Sequence, residues 1–500
     1  TLHGITTYEL VAENAIATML ARNLRRPAQK HVREMGTMLS LFQSSKMARV
    51  PVDQPLTDVP AKAATSVVPA AAPAITTLPS GIRVVTVDDK HTVSALGVFV
   101  ECGQRYEDEL TAGASLALER LSLGPSKNHS ALAINRAVAG MGTSVAVTSS
   151  RELMSYSTEV LRSDVPAILE VLGETVSNPQ FNTWDVDAVK AMLMEQIEAR
   201  DGLVDEAVVS DFAHAAAFQG TTLSLPVTPT KAIVDNITTE GVEALYNTCY
   251  TAPNMVVAAV GADHDEVVAA VDKYFGSIKG DKVAPPPARY SGGDIRPHGY
   301  GADGMAHVAL SWESVKWSDP SLAAASVLQM MMGGGGSFSA GGPGKGMYTR
   351  LYEQVLNRHG FVHSATCSQA VYNDTGLFTL YGISEPQYAN QLVAVLVEQA
   401  SKMAGAVDAT ELARAKNLLK SFILMHLESR VWLQDDLGRA VITYNQVKSA
   451  GDLCKEIDAV TAKDVQDVAK KILSSPLSVA AVGEVSGIQP RDIITRQISA

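Results

Sequence analysis

The pentapeptide Val-Ala-Ala-Val-Gly occurs twice in the chain, at Val257–Gly261 and again at Val479–Gly483. Each copy follows a proline-containing turn, Ala252–Asn254 in the first case and Ser475–Pro476 in the second. A proline turn followed by an apolar run with two valines predicts a buried strand. An identity of five residues suggests a duplication, and the order of the elements before each copy supports it.

The same order of predicted elements precedes each copy. A strand is followed by about ten loop residues and an apolar helix, and later by a second alternating strand. These elements are 95–102, 114–123 and 154–160 in the first half, and 307–312, 321–332 and 376–381 in the second. The repeated order predicts an α+β protein of two homologous domains, each a mostly antiparallel sheet packed with helices.

The predicted domains occupy residues 78–285 and 295–500, with a linker at 286–294 next to the proline run Val283–Pro287. Residues 1–77 form a predicted N-terminal extension that ends in a Pro/Ala-rich extended linker. Its first 50 residues carry seven basic and three acidic side chains, an arginine-rich composition similar to mitochondrial transit segments. We interpret it as a retained basic extension, either a docking helix or a loosely held arm.

Composition excludes several classes of function. With 500 residues, of which 46% are hydrophobic, the chain is long enough for two or more cores. The formal net charge of -12 argues against nucleic acid as a partner. The four cysteines form no C-x-x-C pair and are predicted to be reduced and mostly buried. The chain contains no run of about 18 apolar residues, so we predict no transmembrane segment.

The segment Gly113–Arg120 reads GASLALER and predicts an amphipathic helix after a strand and a loop. It resembles the zinc helix of the inverted-zincin peptidases, whose H-x-x-E-H motif places a carboxylate base between two imidazoles. Leu116 and Arg120 occupy the two histidine positions, and only Glu119 remains. Leucine has no lone pair and a guanidinium repels a dication. The resemblance therefore implies a degenerate site that holds no metal and no catalytic residue.

Other residues offer no replacement ligands. A third ligand would come from a predicted helix at 186–199, where Glu195 or Glu198 has the suitable position. His359 and His363 have i,i+4 spacing, but Gly360 and the following residues predict a turn into a strand. The remaining candidates are isolated and predicted to be structural: His214, His264, His298, His307 and His426. We therefore expect no cofactor in this chain and no hydrolysis by the chain alone.

The segment with the most unusual composition is MGGGGSFSAGGPGKGM at Met332–Met347. It lies between two predicted helices at 321–332 and 347–356. Glycine has no Cβ, so such a loop is expected to have many backbone conformations and to expose amides and carbonyls to a ligand. A flexible linker is the alternative for a Gly/Ser run. Against it, the run interrupts a domain, and Phe338 and Met347 add apolar contact points.

This loop and its continuation Tyr348–Asn357 resemble the α-subunit family of the mitochondrial processing peptidases, within the pitrilysin/insulinase-like inverted-zincin peptidases. The segments Leu427–Arg430, Asp436–Arg439 and Asp374–Phe378 carry the same resemblance, which extends from roughly residue 78 to the C terminus. It implies a noncatalytic subunit that holds presequences for a zinc-bearing β-type partner in a heterodimer. The implied substrate-binding residues are Gly333, Gly334, Gly335, Gly336, Ser337, Phe338, Ser339, Gly341, Gly342, Gly344, Lys345 and Gly346.

The same family includes the core proteins of ubiquinol-cytochrome c reductase, respiratory complex III of the electron-transport chain. The resemblance thus implies a mitochondrial location, in the matrix or on the matrix side of the inner membrane. The implied partners are a β-type or core 1-like subunit, presequence peptides and other complex III subunits. A purely structural complex III core protein without processing activity is the alternative.

Overall fold

Two sheets organise the part of the chain that the computed structural model describes, which is residues 72–200, 202–337 and 347–499. Of the predicted N-terminal extension at 1–77, residues 1–71 lie outside these residues, and Ala74–Thr77 form the first strand. The first sheet is built from residues 74–260 and the second from residues 294–483. Six strands form each sheet within the described residues.

The first half of the chain contributes the first sheet and the helices around it. Its strands are β1 Ala74–Thr77, β2 Arg83–Val87, β3 Val93–Val100, β4 Val145–Ser149, β5 Met154–Leu161 and β6 Met255–Val260. Its helices are α1 Ala114–Leu121, α2 Ala131–Gly140, α3 Val165–Ser177, α4 Thr183–Arg200, α5 Glu206–Ala217, α6 Lys231–Asn236, α7 Thr239–Cys249 and α8 His264–Phe275. The spatial order is β1-β2-β6-β3-β5-β4, and only β2 and β6 run parallel in the described sheet.

The second half repeats this plan. Its strands are β7 Asp294–Ile295, β8 Ala306–Glu313, β9 Gly334–Gly336, β10 Val362–Val371, β11 Gly376–Ser384 and β12 Ser478–Gly483. Its helices are α9 Leu322–Met332, α10 Ala389–Met403, α11 Ala409–Leu427, α12 Arg430–Tyr444, α13 Ala450–Ala459, α14 Ala462–Leu473 and α15 Arg491–Ser499. The order is β7-β12-β8-β11-β10-β9, in which β7 and β12 run parallel.

The repeated pentapeptide forms the same strand in both sheets. Val257 on β6 lies opposite Val98 of β3, and Val479 on β12 lies opposite Leu310 of β8. All residues of β6 are buried, as are the first five of β12, because helices cover both faces of each sheet. The prediction of an α+β chain with two similar, mostly antiparallel halves is confirmed.

Each half covers one face of the other half's sheet. Leu437 and Val441 of α12 pack on the first sheet against Phe99 and its neighbours. Conversely, Ala213 and Ala217 of α5 pack on the second sheet. The remaining sheet faces carry helices of their own half. Because this exchange buries apolar surface of both halves, the described residues of the two halves form one compact unit.

Most predicted elements occur within two or three residues of their predicted bounds, and one has a different form. The predicted helix at 347–356 begins with a turn and continues as a π-helix, Tyr352–Leu356. Its Asn357 amide donates to the Tyr352 carbonyl at 2.9 Å, a bond across five residues. Short π-helices occur frequently at functional sites. The domain boundaries 78–285 and 295–500 and the linker 286–294 stay predictions.

The cysteines match their prediction. All four thiols are free, and those of Cys102, Cys249 and Cys367 are buried, whereas Cys454 is half-buried. Burial raises the pKa of the Cys367 thiol well above its ordinary value, which keeps it protonated and unreactive. Among the described helices, none is both long and apolar enough to cross a bilayer.

Candidate functional site

Helix α1 carries the three positions where the metal motif is degenerate. Leu116 is buried, Glu119 is half-buried and Arg120 is exposed. Glu119 Oε2 accepts a hydrogen bond from the Ser149 amide at 3.0 Å, and Glu119 Oε1 lies 3.3 Å from Arg120 Nη1. The carboxylate is thus held by an amide at the end of edge strand β4 and by a guanidinium, and a zinc ion would have to displace both.

The start of α1 is fixed by a buried carboxylate. Glu107 accepts hydrogen bonds from the amides of Gly113 and Ser115, both at 2.9 Å, and from the Ser115 hydroxyl. These groups lie at the N terminus of the helix, where free amides and the helix dipole favour a negative charge. Burial nevertheless dominates and raises the pKa of Glu107. Glu107 therefore positions α1 and is not available as a ligand.

No other group in the described residues compensates for the missing histidines. Glu195 and Glu198 lie on the exposed side of α4. Across residues 72–200, 202–337 and 347–499, no three His, Cys, Asp or Glu side chains come together as a metal site. His359 lies in a turn and His363 on β10, as predicted. The side chains at this site do not fit zinc. Leu116 has no atom that could bind the ion, and the positive charge of Arg120 would repel it.

Among the isolated histidines, His264 and His307 have structural hydrogen bonds, as predicted. His264 lies between the hydroxyls of Thr76 and Thr86, each at 2.8 Å. His307 lies between Asp303 and Tyr381, each at 2.7 Å. Both imidazoles have both nitrogens occupied in this way, so neither is free to bind a metal.

The first residues of the glycine-rich loop form strand β9 at the edge of the second sheet. Gly335 lies opposite Ala365 of β10. Gly333 accepts a hydrogen bond from the Cys367 amide at 2.9 Å, and the Ser337 amide donates to the His363 carbonyl at 2.7 Å. Four glycines were expected to have many backbone conformations, but the ladder to β10 gives Gly333–Gly336 one extended path.

Two of these glycines occupy positions that no other residue fits. Gly333 has φ +56°, and a Cβ there would lie 2.4 Å from the Thr349 side chain. Gly334 has φ +106°, and a Cβ there would lie 2.0 Å from the Ala365 carbonyl oxygen. Positive φ and a contact with backbone at that distance both exclude a side chain. Glycine is required at the start of the loop for close packing as much as for flexibility.

The other end of the loop is fixed by the residues that follow it. The Thr349 hydroxyl accepts a hydrogen bond from the Gly334 amide at 3.2 Å, and the Tyr352 hydroxyl donates to the Gly336 carbonyl at 3.4 Å. Arg350 donates to both carboxylate oxygens of Glu411 on α11, at 2.6 and 2.9 Å. This bidentate pair ties the returning chain to α11. The two ends of the loop are therefore joined to each other and to the domain.

Exposed side chains surround the returning end of the loop. Met347 and Tyr348 are among the exposed large apolar residues, and the Arg414 guanidinium lies 5.7 Å from the centre of the Tyr348 ring. Of the predicted substrate-binding residues, Gly333 to Ser337 lie on and beside β9. Phe338, Ser339, Gly341, Gly342, Gly344, Lys345 and Gly346 lie outside the described residues. Thr349, Arg350 and Tyr352 were missed at the sequence level, although their position directly after the loop was a signal.

Comparison of the two halves shows that β9 of the second sheet has no counterpart in the described part of the first sheet. The strands β5 and β4 of the first half correspond in order to β11 and β10 of the second. In the described part of the first sheet, β4 is the last strand, and Glu119 binds the amide of its final residue, Ser149. In the second sheet, β9 lies beyond β10. The glycine-rich segment therefore occupies a sheet edge that is left open in the half with the degenerate metal helix.

A buried arginine fixes the two halves relative to each other. Arg105, whose side chain is 1% exposed, contacts Glu152 in the first half and Asp374 in the second. It also donates to the Pro286 carbonyl at 3.0 and 3.2 Å, within the segment that connects the two sheets. Asp374 starts the Asp374–Phe378 motif noted in the sequence. The motif thus has a structural role in joining the halves.

Comparisons with known proteins agree with this architecture. Residues 83–231 match the family model described as insulinase (peptidase family M16), and residues 236–419 match the peptidase M16 inactive domain. The chain is 37% identical to the mitochondrial-processing peptidase subunit alpha of Solanum tuberosum, over 89% of each chain. It is 36% identical to the probable subunit alpha-2 of Arabidopsis thaliana over 84% of each, and 30% identical to the Homo sapiens subunit alpha over 85% of each.

A solved structure has the same fold. A chain of the structure entitled complex III2 from Candida albicans, Inz-5 bound, superposes with a TM-score of 0.72 at 18% identity. The match covers 85% of this chain and 99% of that one. At this level of identity the likeness concerns the fold alone.

Proposed function

Because this chain belongs to the M16 peptidase family and, within it, to the mitochondrial-processing peptidase α subunits, we propose that it recognises presequences without catalysing their cleavage. The family resemblance predicted from the sequence is confirmed. In the proposed reaction, this chain holds the presequence while a β-type partner supplies the zinc and the hydrolytic chemistry. The observation that carries the proposal is the combination of an anchored glycine-rich loop with a metal helix that has lost its ligands.

The noncatalytic role is supported by α1. Hydrolysis by an inverted-zincin site needs two imidazole ligands and a free general base. In this chain Leu116 and Arg120 replace the imidazoles, and the Glu119 carboxylate is engaged by Ser149 and Arg120. Each of these features removes a separate requirement of the reaction.

The recognition role is supported by the way the loop is held. Strand β9 holds the residues before the loop, and the Arg350–Glu411 pair holds the residues after it. Fixed ends reduce the conformational entropy that a loop loses when it binds a peptide. The residues proposed to contact the presequence are those from Ser337 to Gly346, with Gly333–Gly336 as their support.

The proposed location and partners follow from the relatives. Their names describe mitochondrial processing peptidases, and we extend that location to this chain as a protein of the matrix or of the matrix side of the inner membrane. The β-type subunit and presequence peptides are the proposed partners. A role as a core subunit of complex III stays a prediction from the family resemblance. Purification from solubilised inner membranes, followed by identification of co-purifying cytochromes, tests that role.

A reconstitution tests the proposed function. The purified chain, a β-type subunit and their mixture are each incubated with a fluorogenic presequence peptide. The proposal predicts cleavage by the mixture only, and binding of an uncleavable presequence to the mixture. Cleavage by this chain alone, or equal cleavage by the β-type subunit without it, would overturn the proposal.

A further inference from the structure

A cluster of exposed apolar side chains lies where α11 ends and α12 begins. Phe422, Leu424, Met425, Val431 and Trp432 are between 37% and 59% exposed. They account for a third of the fifteen exposed large apolar residues in the described chain, although they fall within eleven positions. Single exposed apolar residues are ordinary, but several at one helix junction are typical of a binding surface. We call these five residues the helix-junction patch.

His426 joins the two parts of the patch. Its ring centre lies 3.9 Å from that of Phe422 on the same helix and 4.9 Å from that of Trp432 on the next helix. Its Nδ1 also lies 2.8 Å from the Phe422 carbonyl oxygen, which fixes the imidazole. The start of α12 is anchored to the first half of the chain, because Arg430 Nε lies 3.0 Å from Asp89 Oδ2. The rings of Phe422, His426 and Trp432 therefore connect the two helices into one preformed aromatic surface.

The size and composition of the patch favour a folded protein as its ligand. Five large side chains that are each about half exposed present on the order of 400 Å² of apolar surface. That is about half of the roughly 800 Å² that one partner buries in a standard interface. Tryptophan, methionine and phenylalanine are enriched at the centres of such interfaces, where tryptophan often contributes most of the affinity.

The charge beside the patch indicates what the partner presents there. Glu428 is exposed in the two-residue connection between α11 and α12. Within the described residues, no cation forms an ion pair with Glu428, whereas the nearby Arg430 and Arg439 are paired with Asp89 and Asp435. A cationic side chain on the partner would complement Glu428 at the rim of the contact.

We propose that the helix-junction patch anchors the interface with a folded second subunit that presents an apolar surface and a cation opposite Glu428. This inference rests on the proposed function, in which that subunit is the zinc-bearing partner. Trp432 and Met425 are its central contacts, because they have the largest exposed fractions in the patch, 55% and 59%.

The experiment compares two double variants of the full chain. Met425→Ala with Trp432→Ala removes the centre of the patch. Leu132→Ala with Trp184→Ala removes side chains that are 62% and 70% exposed on α2 and α4, and serves as the matched control. Association with the β-type subunit is measured by sedimentation velocity, and binding of an uncleavable presequence by fluorescence anisotropy. We expect the patch variant to weaken association at least about tenfold, the control to associate like the wild type, and both to melt within a few degrees of the wild type.

Each other outcome has a defined meaning. A patch variant that associates like the wild type overturns this inference and leaves the proposed function standing. A wild-type chain that does not associate with the β-type subunit overturns both. If the patch variant associates normally but loses presequence binding, the patch contacts the peptide and the inference is wrong. If the isolated wild-type chain self-associates through the patch, the second subunit is another copy and the inference is also wrong.

Discussion

Arg105 in the first half of the chain and Asp374 in the second are joined across an Nη2–Oδ2 distance of 2.5 Å. Burial opposes ionisation of Asp374, but hydrogen bonds from Arg105 and from the Ala288 amide outweigh it and lower the pKa of this carboxyl. The pair therefore stays ionised at neutral pH. It holds the two sheets, and with them the loop and α1, in one fixed arrangement.

We expect Asp374→Asn to lower the free energy of unfolding by about 1–2 kcal/mol, because it leaves the buried Arg105 charge with less compensation. Urea denaturation of the full chain measures this change. Glu398→Gln removes one partner of the exposed Lys402–Glu398 pair and is the control, with an expected change within about 0.5 kcal/mol. Equal effects of the two substitutions would contradict the structural role of Arg105 and Asp374.

Gly334→Ala is expected to destabilise β9 by at least about 2 kcal/mol, because it combines a positive φ with a backbone clash. Hydrogen exchange should accelerate at the Cys367 amide, which donates to Gly333. Gly360→Ala is the matched control, since its added Cβ would meet no atom within 4 Å and its φ is not positive. If Gly334→Ala preserves both the exchange rate and the melting temperature, β9 is not the rigid support that we describe.

His214 predicts a loss of stability on mild acidification. Its Nδ1 donates to the Ser210 carbonyl at 2.7 Å and its Nε2 lies 2.8 Å from the Tyr372 hydroxyl, an arrangement that the neutral ring satisfies. Burial, with the charge of Arg151, lowers the pKa of His214 well below its ordinary value of about 6.5. The unfolded chain thus binds a proton below about pH 6.5 that the folded chain does not, so stability is full above that pH and falls below it.

Between pH 6.5 and the lowered pKa of His214, the free energy of unfolding should change with pH by an amount that approaches about 1.4 kcal/mol per pH unit. Urea denaturation at several pH values should therefore show a flatter profile for His214→Gln than for the wild type. His91→Gln, at an exposed position, is the control. Parallel profiles for the wild type and His214→Gln would show that the buried ring is not the source of the slope.

The side chains of α1 predict where the metal resides. The isolated chain, dialysed against zinc and then against metal-free buffer, should retain less than about 0.1 zinc per chain, because Leu116 and Arg120 supply no ligand. The β-type subunit should retain about one. Elemental analysis of the separated subunits measures both. Stoichiometric zinc in this chain would contradict the noncatalytic role and favour an independent zinc peptidase.

The sequence predicts the duplication and the central strands because both depend on patterns of residues along the chain, and it predicts the degenerate site on α1 through the resemblance to the H-x-x-E-H motif. It does not predict that α5 and α12 cover the sheet of the opposite half, since an apolar stripe shows that a helix is buried but not against which sheet. The sequence also does not predict strand β9, for a different reason. Gly334–Gly336 has no side chains and therefore no alternation, so its extended path depends on partners such as Ala365 that are distant in sequence.

The glycine-rich loop itself gives the most direct test. Gly341, Gly342, Gly344 and Gly346 are replaced together by alanine, which leaves the Gly333–Gly336 support unchanged. The variant is combined with the β-type subunit, and KM for a presequence peptide is compared with that of the wild type. A chain carrying Gly140→Ala, Gly360→Ala and Gly487→Ala, at glycines where an added Cβ meets no atom within 4 Å, is the control. Our account predicts a KM at least about tenfold higher for the loop variant, with heterodimer formation retained, and an unchanged KM would contradict it.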